Sequence, residues 1–328
     1  MKKLTKILIT GGAGFIPSSL AEGLVKTGNY EVTCVDNLLT GCLSNIPDHP
    51  NCTFIKGDVN NYNDLAPIMI SNRFDYVFHY AAVVGVQRTL ENPILVMQDI
   101  DGINNVLALS KNTGVKRMFF SSSSEVYGEP VELPQNEDTT PLNSKLPYAI
   151  VKNLGEAYFR SYHQIHNLPF TIFRFFNTYG ERQSTDFVMS KFISAALSNR
   201  DITVYGDGSQ TRTFCYINDN IETTIRTLEQ ELHMNDVLNI GSAKEITIYE
   251  LAQTIINITG SKSKIIHLPA LEQGDMTRRL PDNFKMKSIL KRDLISLEEG
   301  IKIVLASRQS FQKPSKLTKV MSQKTAAV

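Results

Sequence analysis

A tyrosine and a lysine four residues apart, Tyr148 and Lys152, are the pair in this sequence best suited to proton transfer. On a helix, residues with this spacing share one face. A tyrosine with its ordinary pKa of about 10 is a poor base at neutral pH, but a neighbouring ammonium favours the phenolate. Such a tyrosine can take a proton from a hydroxyl as a hydride leaves. Because the spacing also occurs on ordinary helix faces, it needs support from elsewhere in the chain.

Four consecutive serines and a glutamate, at 121–125, supply that support. They lie where the fifth predicted strand ends, and ligands bind at the carboxyl ends of the strands in a doubly wound sheet. The alternative is that the serine run is only a polar loop. We predict that catalysis uses Ser123, Glu125, Tyr148 and Lys152, and that Ser124 binds substrate.

A glycine-rich turn, residues 10–17, follows the first predicted strand. Glycines there let the backbone approach a pyrophosphate, whose charge then lies at the N-terminus of the next helix. Asp36 closes the second predicted strand about 20 residues after the turn, a spacing typical of dinucleotide binding. Its carboxylate can bond the adenosine ribose and repel a 2′-phosphate, which favours NAD over NADP. The alternative is that Asp36 is only a turn or cap residue before Asn37.

The elements that must position these residues repeat a βα unit. Their nearly continuous apolar runs are typical of strands buried on both faces. We predict strands at 5–10, 31–36, 52–56, 75–80, 116–122 and 169–175, and helices at 94–112 and 148–163. The predicted fold class is α/β, a Rossmann-type doubly wound parallel sheet with a smaller interleaved C-terminal substrate-binding lobe.

Composition argues against several classes of protein. The 328 residues are 42% hydrophobic and 20% charged with a formal net charge of +1, which argues against disorder and against nucleic-acid binding. The four cysteines form neither a disulfide framework nor a metal-ligand spacing, so we predict no metal and a location in the reducing cytoplasm. No apolar run reaches the roughly 18 residues of a membrane span.

The nucleotide-binding half of the chain resembles the extended short-chain dehydrogenase/reductase family. Gly11 and Gly14 match the family's glycine pattern, whereas Pro17 replaces its third glycine, and from this we expect a shifted helix start. Asp58 corresponds to a residue that contacts adenine. The resemblance implies NAD as cofactor, bound by Gly11, Gly14, Phe15, Ile16, Asp36, Asn37, Asp58, Val59, Ala81, Tyr148 and Lys152.

From residue 5 to about residue 305 the sequence resembles the nucleotide-sugar epimerase/dehydratase branch of that family. The resemblance implies that Ser123 hydrogen-bonds the sugar 4-hydroxyl, that Tyr148 deprotonates it, and that Lys152 holds the nicotinamide ribose and tunes Tyr148. One position departs from the branch. Asp99 stands where the family usually has asparagine, which affects the expected proton relay.

The substrate implied by the same resemblance is a nucleotide-diphosphate sugar. Asn177, Arg212 and Arg279 correspond to residues that face the diphosphate, and forked guanidinium groups suit two phosphates. Glu181 stands where the motif around Asn177 usually continues with proline. Taken singly, each arginine could instead be a surface ion pair, as we expect for Arg278.

The reaction that follows oxidation at C4 separates the members of this branch. The segment Ser123-Ser124-Glu125 resembles the Thr-Ser-Glu of decarboxylases and dehydratases, so our first choice is a dehydratase-type lyase. Residues 84–89 look like the sugar loop of 4-epimerases, which makes an NDP-sugar 4-epimerase the alternative, followed by a UDP-glucuronate decarboxylase. From another class, we consider a non-catalytic NAD-binding regulator.

The resemblance also suggests how the chain is divided and assembled. We predict an NAD-binding domain at 1–175 with a return near 212–242, a sugar-nucleotide lobe at 176–211 and 243–308, and a basic, disordered tail at 309–328. We expect a homodimer in which the helices from Ile94 and from Tyr148 form a four-helix bundle. The apolar residues that suggest this interface are Leu95, Met97, Leu154, Tyr158 and Phe159.

Overall fold

The main sheet has seven strands, all of which pair in parallel in a computed structural model that describes residues 3–269 and 278–312. Its strands are β1 Thr5–Thr10, β2 Tyr30–Asp36, β3 Cys52–Lys56, β4 Tyr76–His79, β5 Arg117–Ser123, β6 Phe170–Phe175 and β11 Asp236–Ile240. Their order in the sheet is β11-β6-β5-β4-β1-β2-β3. The chain runs outward from β1 to β3 and then returns to β4 on the other side of β1. The predicted Rossmann-type α/β fold is confirmed.

Helices cover the sheet and bury its apolar strands. Successive residues of a strand point to opposite faces of the sheet. In β1 the consecutive residues Ile7, Leu8 and Ile9 are all inaccessible to solvent, so both faces of the sheet are covered. The helices are α1 Phe15–Lys26, α2 Tyr62–Asn72, α3 Val86–Glu91, α4 Pro93–Met97, α5 Asp99–Thr113, α6 Pro147–His166, α7 Val188–Leu197, α8 Ile217–Glu229, α9 Ile248–Thr259, α10 Phe284–Leu290 and α11 Leu297–Gln312. None of the helices in the described ranges is long and apolar enough to span a membrane.

One predicted helix differs from the structure. The segment predicted as a single helix from Ile94 to Asn112 is divided into α4 and α5 at Gln98. The N–H of Asp101 bonds the carbonyl of Gln98 at 3.0 Å, an i to i+3 bond that tightens the turn between the two helices. The second long helix, predicted from Tyr148, begins at Pro147 and extends to His166.

Short strand pairs follow β6 and carry the part of the chain that was predicted to bind substrate. These strands are β7 Thr178–Tyr179, β8 Ile202–Tyr205, β9 Thr211–Thr213, β10 Cys215–Tyr216, β12 Glu245–Thr247 and β13 Ile265–Leu268. The pair β7–β10 is parallel, the pair β9–β12 is antiparallel and the pair β8–β13 is parallel. The predicted disordered tail from 309 coincides with α11 up to Gln312, and its remainder lies outside the described residues.

Candidate active site

A cavity of about 390 Å³ opens at the carboxyl ends of the sheet strands, around the point where the chain reverses between β1 and β4. Ligands bind at this position in doubly wound sheets. Of the predicted site residues, the structure brings together Gly11, Gly14, Phe15, Ile16, Asp36, Asn37, Asp58, Val59, Ala81, Ser123, Ser124, Glu125, Tyr148, Lys152, Asn177 and Arg279. The roles predicted for them within this cavity remain proposals.

The glycine turn has the geometry that a pyrophosphate requires. Gly11 has a φ of +70°, and a Cβ at this position would lie 2.8 Å from the backbone of Ala81, so a side chain cannot be accommodated. Gly14 precedes α1, and no side chain caps the first turn of that helix. The N–H groups of Gly12, Ala13 and Gly14 are bonded within the protein, so the backbone donors suited to an anion are those of the first turn of α1, where Phe15 and Ile16 line the cavity.

Pro17 is compatible with this arrangement. α1 begins at Phe15, directly after Gly14, and its first backbone bond runs from Ser18 N–H to the Gly14 carbonyl at 3.1 Å. A proline in the first helical turn loses no intrahelical hydrogen bond, because that N–H has no partner in the helix. The departure from the glycine pattern thus leaves the start of the helix intact.

Asp36 lies at the end of β2, where it both shapes the turn and faces the cavity. Its two carboxylate oxygens accept the N–H of Ala13 at 3.0 Å and the N–H of Leu38 at 2.7 Å. Burial raises the pKa of Asp36, and these two backbone hydrogen bonds oppose that shift. Asp36 can therefore stabilise the turn and also bond a ribose hydroxyl, since each carboxylate oxygen keeps a second lone pair.

We predict that Asp36→Asn weakens NAD binding by about tenfold and relaxes the exclusion of NADP, because the substitution keeps the size of the side chain and removes its charge. Calorimetric titration with both cofactors measures the effect. Asp48→Asn, on an exposed position of the following loop, is the control. An unchanged ratio of the two affinities in Asp36→Asn would remove Asp36 from the cofactor site.

Tyr148 faces the cavity from the first turn of α6. Burial raises the pKa of its phenol, the charge of Glu125 raises it further, and the hydroxyl of Ser123 lowers it. Ser123 also accepts the N–H of Glu125 at 3.2 Å, which fixes the serine at the end of β5. Without a cation near the ring the phenol therefore keeps its proton at neutral pH and cannot accept another, so proton transfer depends on positive charges near Tyr148.

Lys152 supplies one such charge from the next turn of α6. Its side chain is buried, and its Nζ donates to Ser121 Oγ at 3.4 Å and lies 5.8 Å from the Tyr148 ring centroid. Burial lowers the pKa of Lys152 to about 8, and Asp99 opposes that shift. His79 at the end of β4 is buried, and its Nδ1 lies 2.9 Å from Thr10 Oγ1.

The shift on Lys152 predicts how stability depends on pH. The folded protein loses the Lys152 proton near pH 8, whereas the unfolded chain keeps it until about pH 10. Between these pH values the unfolded state binds more protons, so the free energy of unfolding rises with pH. Over this interval the free energy of unfolding of the wild type should rise by about 1 to 3 kcal/mol relative to that of Lys152→Met. Urea unfolding of both proteins at several pH values tests this. Lys145→Met, an exposed position, should show no such trend.

Arg279 lies beside Glu125, with Nη2 2.7 Å from Oε1. Both side chains are largely buried, and neither Glu125 Oε2 nor Arg279 Nε has a hydrogen-bond partner among the described residues. Asn177 Nδ2 is unpartnered in the same sense. The lining of the cavity therefore includes buried polar atoms that a bound ligand could satisfy. The sequence predicted Arg279 at the diphosphate, whereas the structure pairs it with a predicted catalytic carboxylate.

Arg212 is the one predicted site residue absent from the described lining of the cavity. It is buried on β9, and its Nη1 donates to the carbonyl of Thr211 at 2.8 Å. Its role at a diphosphate stays a prediction. Conversely, sequence reasoning missed lining residues that share an apolar or small character and lie in loops and on α7, namely Leu39, Thr40, Phe187 and Met189.

A buried ion pair beneath the site was also missed. Arg174 on β6 contacts Glu156 on α6, with Nε 2.9 Å from Oε1 and Nη2 2.7 Å from Oε2. Glu156 also accepts the hydroxyl of Ser122 at 2.6 Å, and Arg174 donates to the Tyr127 oxygen at 2.8 Å. The signal was available, because Glu156 continues the helix face of Tyr148 and Lys152.

Comparison with known proteins agrees with this geometry. Residues 7–241 match the model of the NAD dependent epimerase/dehydratase family. The chain belongs to this family. It is therefore an NAD-dependent enzyme of a family that modifies nucleotide sugars, and the suggested non-catalytic regulator is not supported. The residues around the glycine turn and Asp36 fit the adenosine and pyrophosphate of NAD.

Individual members of the epimerase/dehydratase family resemble the chain along most of its length. UDP-N-acetyl-alpha-D-glucosaminuronate decarboxylase of Bacillus cytotoxicus is 40% identical over 324 residues, covering 92% of this chain and 96% of the relative. UDP-glucuronic acid decarboxylase 1 of Danio rerio is 36% identical over 311 residues, covering 92% and 72%. The structure of Thermotoga maritima UDP-glucose 4-epimerase with UDP-glucose superimposes with a TM-score of 0.88 at 31% identity, covering 94% of this chain and all of that one.

Proposed function

We propose that this protein is an NAD-dependent decarboxylase of a UDP-linked uronic acid. The observation that supports it most is the position of Arg279, whose guanidinium lies against Glu125 near Tyr148 and keeps an unpartnered Nε. A guanidinium at the reacting end of the cavity suits a sugar that carries a carboxylate. The decarboxylase relatives, which act on UDP-linked uronic acids by name, support the same choice.

The chemistry of such a substrate assigns a task to each side chain. When bound, NAD supplies a reversible hydride acceptor beside C4. Tyr148 accepts the C4 hydroxyl proton as the hydride leaves, and Lys152 stabilises the phenolate. The resulting C4 ketone is β to the carboxylate at C6. The electrons of the C5–C6 bond can therefore pass to the ketone oxygen as carbon dioxide leaves.

Arg279 would bind the carboxylate before that bond breaks, and Glu125 acts after it. C5 must gain a proton, and Glu125, paired with Arg279, is the carboxylate that can relay one from solvent. When the C4 ketone is reduced again, Tyr148 would return its proton to the C4 oxygen, which would give the pentose. Because the oxidation at C4 would be reversed in this way, the overall reaction would need no external oxidant.

A UDP-sugar 4-epimerase is the second candidate. Residues 84–89 resemble an epimerase sugar loop, and Val84, Gly85 and Thr89 line the cavity. The Thermotoga maritima neighbour is an epimerase by name. The dehydratase-type lyase, our first choice from the sequence, has less support, because the relatives compared above are decarboxylases and an epimerase and Glu125 is paired with a guanidinium.

Product analysis separates the three reactions. The purified protein is incubated with UDP-glucuronate, UDP-N-acetylglucosaminuronate, UDP-glucose and dTDP-glucose in D₂O, and the products are weighed. Decarboxylation predicts loss of carbon dioxide from a uronate together with one deuterium at C5. An unchanged mass with inverted C4 and no deuterium identifies the epimerase, and loss of water identifies the dehydratase. The Tyr148→Phe protein serves as the inactive control.

We also infer a homodimer through α4 and α6. Ile94 is 77% exposed, and Met97, Ile150 and Leu154 are also exposed, so the two helices present apolar side chains to solvent. Phe159, predicted at this interface, is instead buried in the core and cannot contribute to it. Light scattering at micromolar protein tests the proposal, and a monomeric mass contradicts it.

The expected cytoplasmic location remains an inference from the cysteine pattern. Fractionation of cells that express the protein tests it.

A further inference from the structure

Residues 279–283, which we call the Arg279 segment, place Arg279 at the cavity but form no helix or strand of their own. Two backbone hydrogen bonds attach this segment to the loop that precedes α6. The N–H of Gln135 donates to the carbonyl of Leu280 at 2.7 Å, and the N–H of Asp282 donates to the carbonyl of Gln135 at 2.8 Å. The position of Arg279 therefore depends on what holds this loop and the Arg279 segment together.

Asn239 on β11 is completely buried and lies where the two segments meet. Its Nδ2 donates to the carbonyl of Gln135 at 2.9 Å and to the carbonyl of Asp282 at 3.3 Å. Beyond the end of β11, a Cβ at Gly241 would lie 3.0 Å from Pro281, so the Arg279 segment packs closely against this end of the strand. A single amide group therefore joins both segments to the main sheet.

The orientation of the Asn239 amide follows from its neighbours. Both groups that face Nδ2 are carbonyls, which only accept hydrogen bonds, so the nitrogen must lie on that side. Oδ1 then accepts the hydroxyl of Tyr127 at 2.8 Å, and the Tyr127 oxygen accepts Arg174 Nη1 at 2.8 Å. Arg174 is held by Glu156, which also accepts the hydroxyl of Ser122. With each donor matched to an acceptor, this chain of hydrogen bonds favours one arrangement.

The chain of hydrogen bonds connects two parts of the cavity. At one end Ser122 lies between Ser121, which accepts Lys152 Nζ at 3.4 Å, and Ser123. At the other end lies the Arg279 segment. The five side chains of the chain are at most 3% exposed, so water cannot readily replace a hydrogen bond that is lost. The groups proposed for C4 oxidation and the guanidinium of Arg279 are therefore held in register through the protein interior.

We propose that Asn239 is a positioning residue that sets the place of the Arg279 guanidinium and thereby the preference of the enzyme for acidic sugars. The inference rests on the proposed function, in which Arg279 binds the sugar carboxylate. Paired hydrogen bonds from a guanidinium to a carboxylate require accurate placement, and a displacement of about 1 Å is enough to lower the rate strongly. A neutral sugar lacks the carboxylate and does not depend on this contact.

The first test compares an acidic with a neutral substrate. Asn239→Leu keeps the approximate shape of the side chain and removes its hydrogen bonds. We expect it to raise KM for UDP-glucuronate by about tenfold relative to KM for UDP-glucose, with NAD affinity unchanged. An unchanged ratio of the two KM values would overturn the inference.

Tyr127→Phe tests the same chain of hydrogen bonds with a smaller change. It removes one hydroxyl and keeps the ring that packs against Phe176. The KM ratio should shift in the same direction by about threefold, and it decides the question if Asn239→Leu does not fold. Thr171→Val is the control for general destabilisation, because it removes a buried hydroxyl at the amino end of β6, away from the cavity. Equal shifts in the control and in Tyr127→Phe contradict the proposal.

A double-mutant cycle separates positioning from general damage. If Asn239 acts through Arg279, adding Asn239→Leu to Arg279→Met should lower kcat/KM for UDP-glucuronate by no more than about twofold further. Losses that multiply in the double variant would show that Asn239 acts independently of Arg279, which contradicts the inference.

Hydrogen exchange of the NAD-bound protein without sugar tests the attachment itself. The backbone amides of Gln135 and Asp282 should exchange about tenfold faster in Asn239→Leu and at the wild-type rate in Thr171→Val. Unchanged exchange in Asn239→Leu overturns the inference. If the wild type accepts no uronate, the proposed function fails, whereas the exchange rates and the cycle, measured with the sugar nucleotide that is accepted, still decide the role of Asn239.

Discussion

Replacing Tyr148 with phenylalanine should reduce the rate of C4 oxidation by about 10² to 10⁴ while NAD remains bound. The substitution removes the proton acceptor and almost no volume, so the surrounding packing of α6 is retained. In the structure, Lys152 Nζ lies 5.8 Å from the Tyr148 ring centroid, and the Ser123 hydroxyl lowers the pKa of the phenol. Stopped-flow absorbance of reduced nicotinamide after mixing with substrate measures the oxidation step directly.

Tyr162→Phe is the matched control for this experiment. Tyr162 lies on the same helix, is partly buried and does not line the cavity in the described part of the chain. Its loss should leave the rate within about twofold of wild type. If Tyr148→Phe instead retained most of the activity, another group would be the base, and Glu125 is the nearest candidate by its effect on Tyr148.

Arg279→Met should lower kcat/KM for a UDP-linked uronic acid by about 10² to 10³, because it removes a buried, charge-assisted contact to the sugar carboxylate. The effect on oxidation of a neutral UDP-sugar should be much smaller, since that substrate offers no carboxylate. Steady-state kinetics with both substrates gives the ratio. Because the substitution leaves Glu125 unpaired, the double variant Arg279→Met with Glu125→Gln is measured for stability alongside it.

Arg278→Met is the control for position. Arg278 is half exposed, and its Nε and Nη2 contact the Glu245 carboxylate at 3.0 and 2.6 Å. It should change neither substrate by more than about twofold. Equal losses on acidic and neutral substrates in Arg279→Met would restore the diphosphate role that the sequence predicted and would contradict the decarboxylase proposal.

The local parts of the fold and site were predictable because local rules determine them. β1 and β3 have the predicted bounds, since a segment rich in apolar and β-branched residues ends at a turn in each case. Gly11 and Asp36 were found because a tight turn and a strand-end carboxylate occur at fixed spacing. Tyr148 and Lys152 were found because four residues span about one helical turn.

The long-range parts were not predictable in the same way. Arg279 contacts Glu125, although more than a hundred residues separate them in the sequence. No local sequence pattern predicts a contact between residues so far apart. Phe159 was mistaken for an interface residue, because a helix with two apolar faces does not reveal which face the sheet covers. The break at Gln98 depends on a single tightened turn, which the apolar spacing of the segment does not reveal.

The buried pair of Arg174 and Glu156 restricts the mutational paths open to this sequence. Both side chains are at most 2% exposed. Replacing either one alone leaves an unpaired charge in the interior and lowers the free energy of unfolding by about 3 to 5 kcal/mol. A typical domain has about 5 to 15 kcal/mol of total stability, so a lineage that changes only one partner loses much of its margin. Replacing both by apolar residues of similar volume can be nearly neutral. The two positions should therefore change together in descendants of this chain, or not at all.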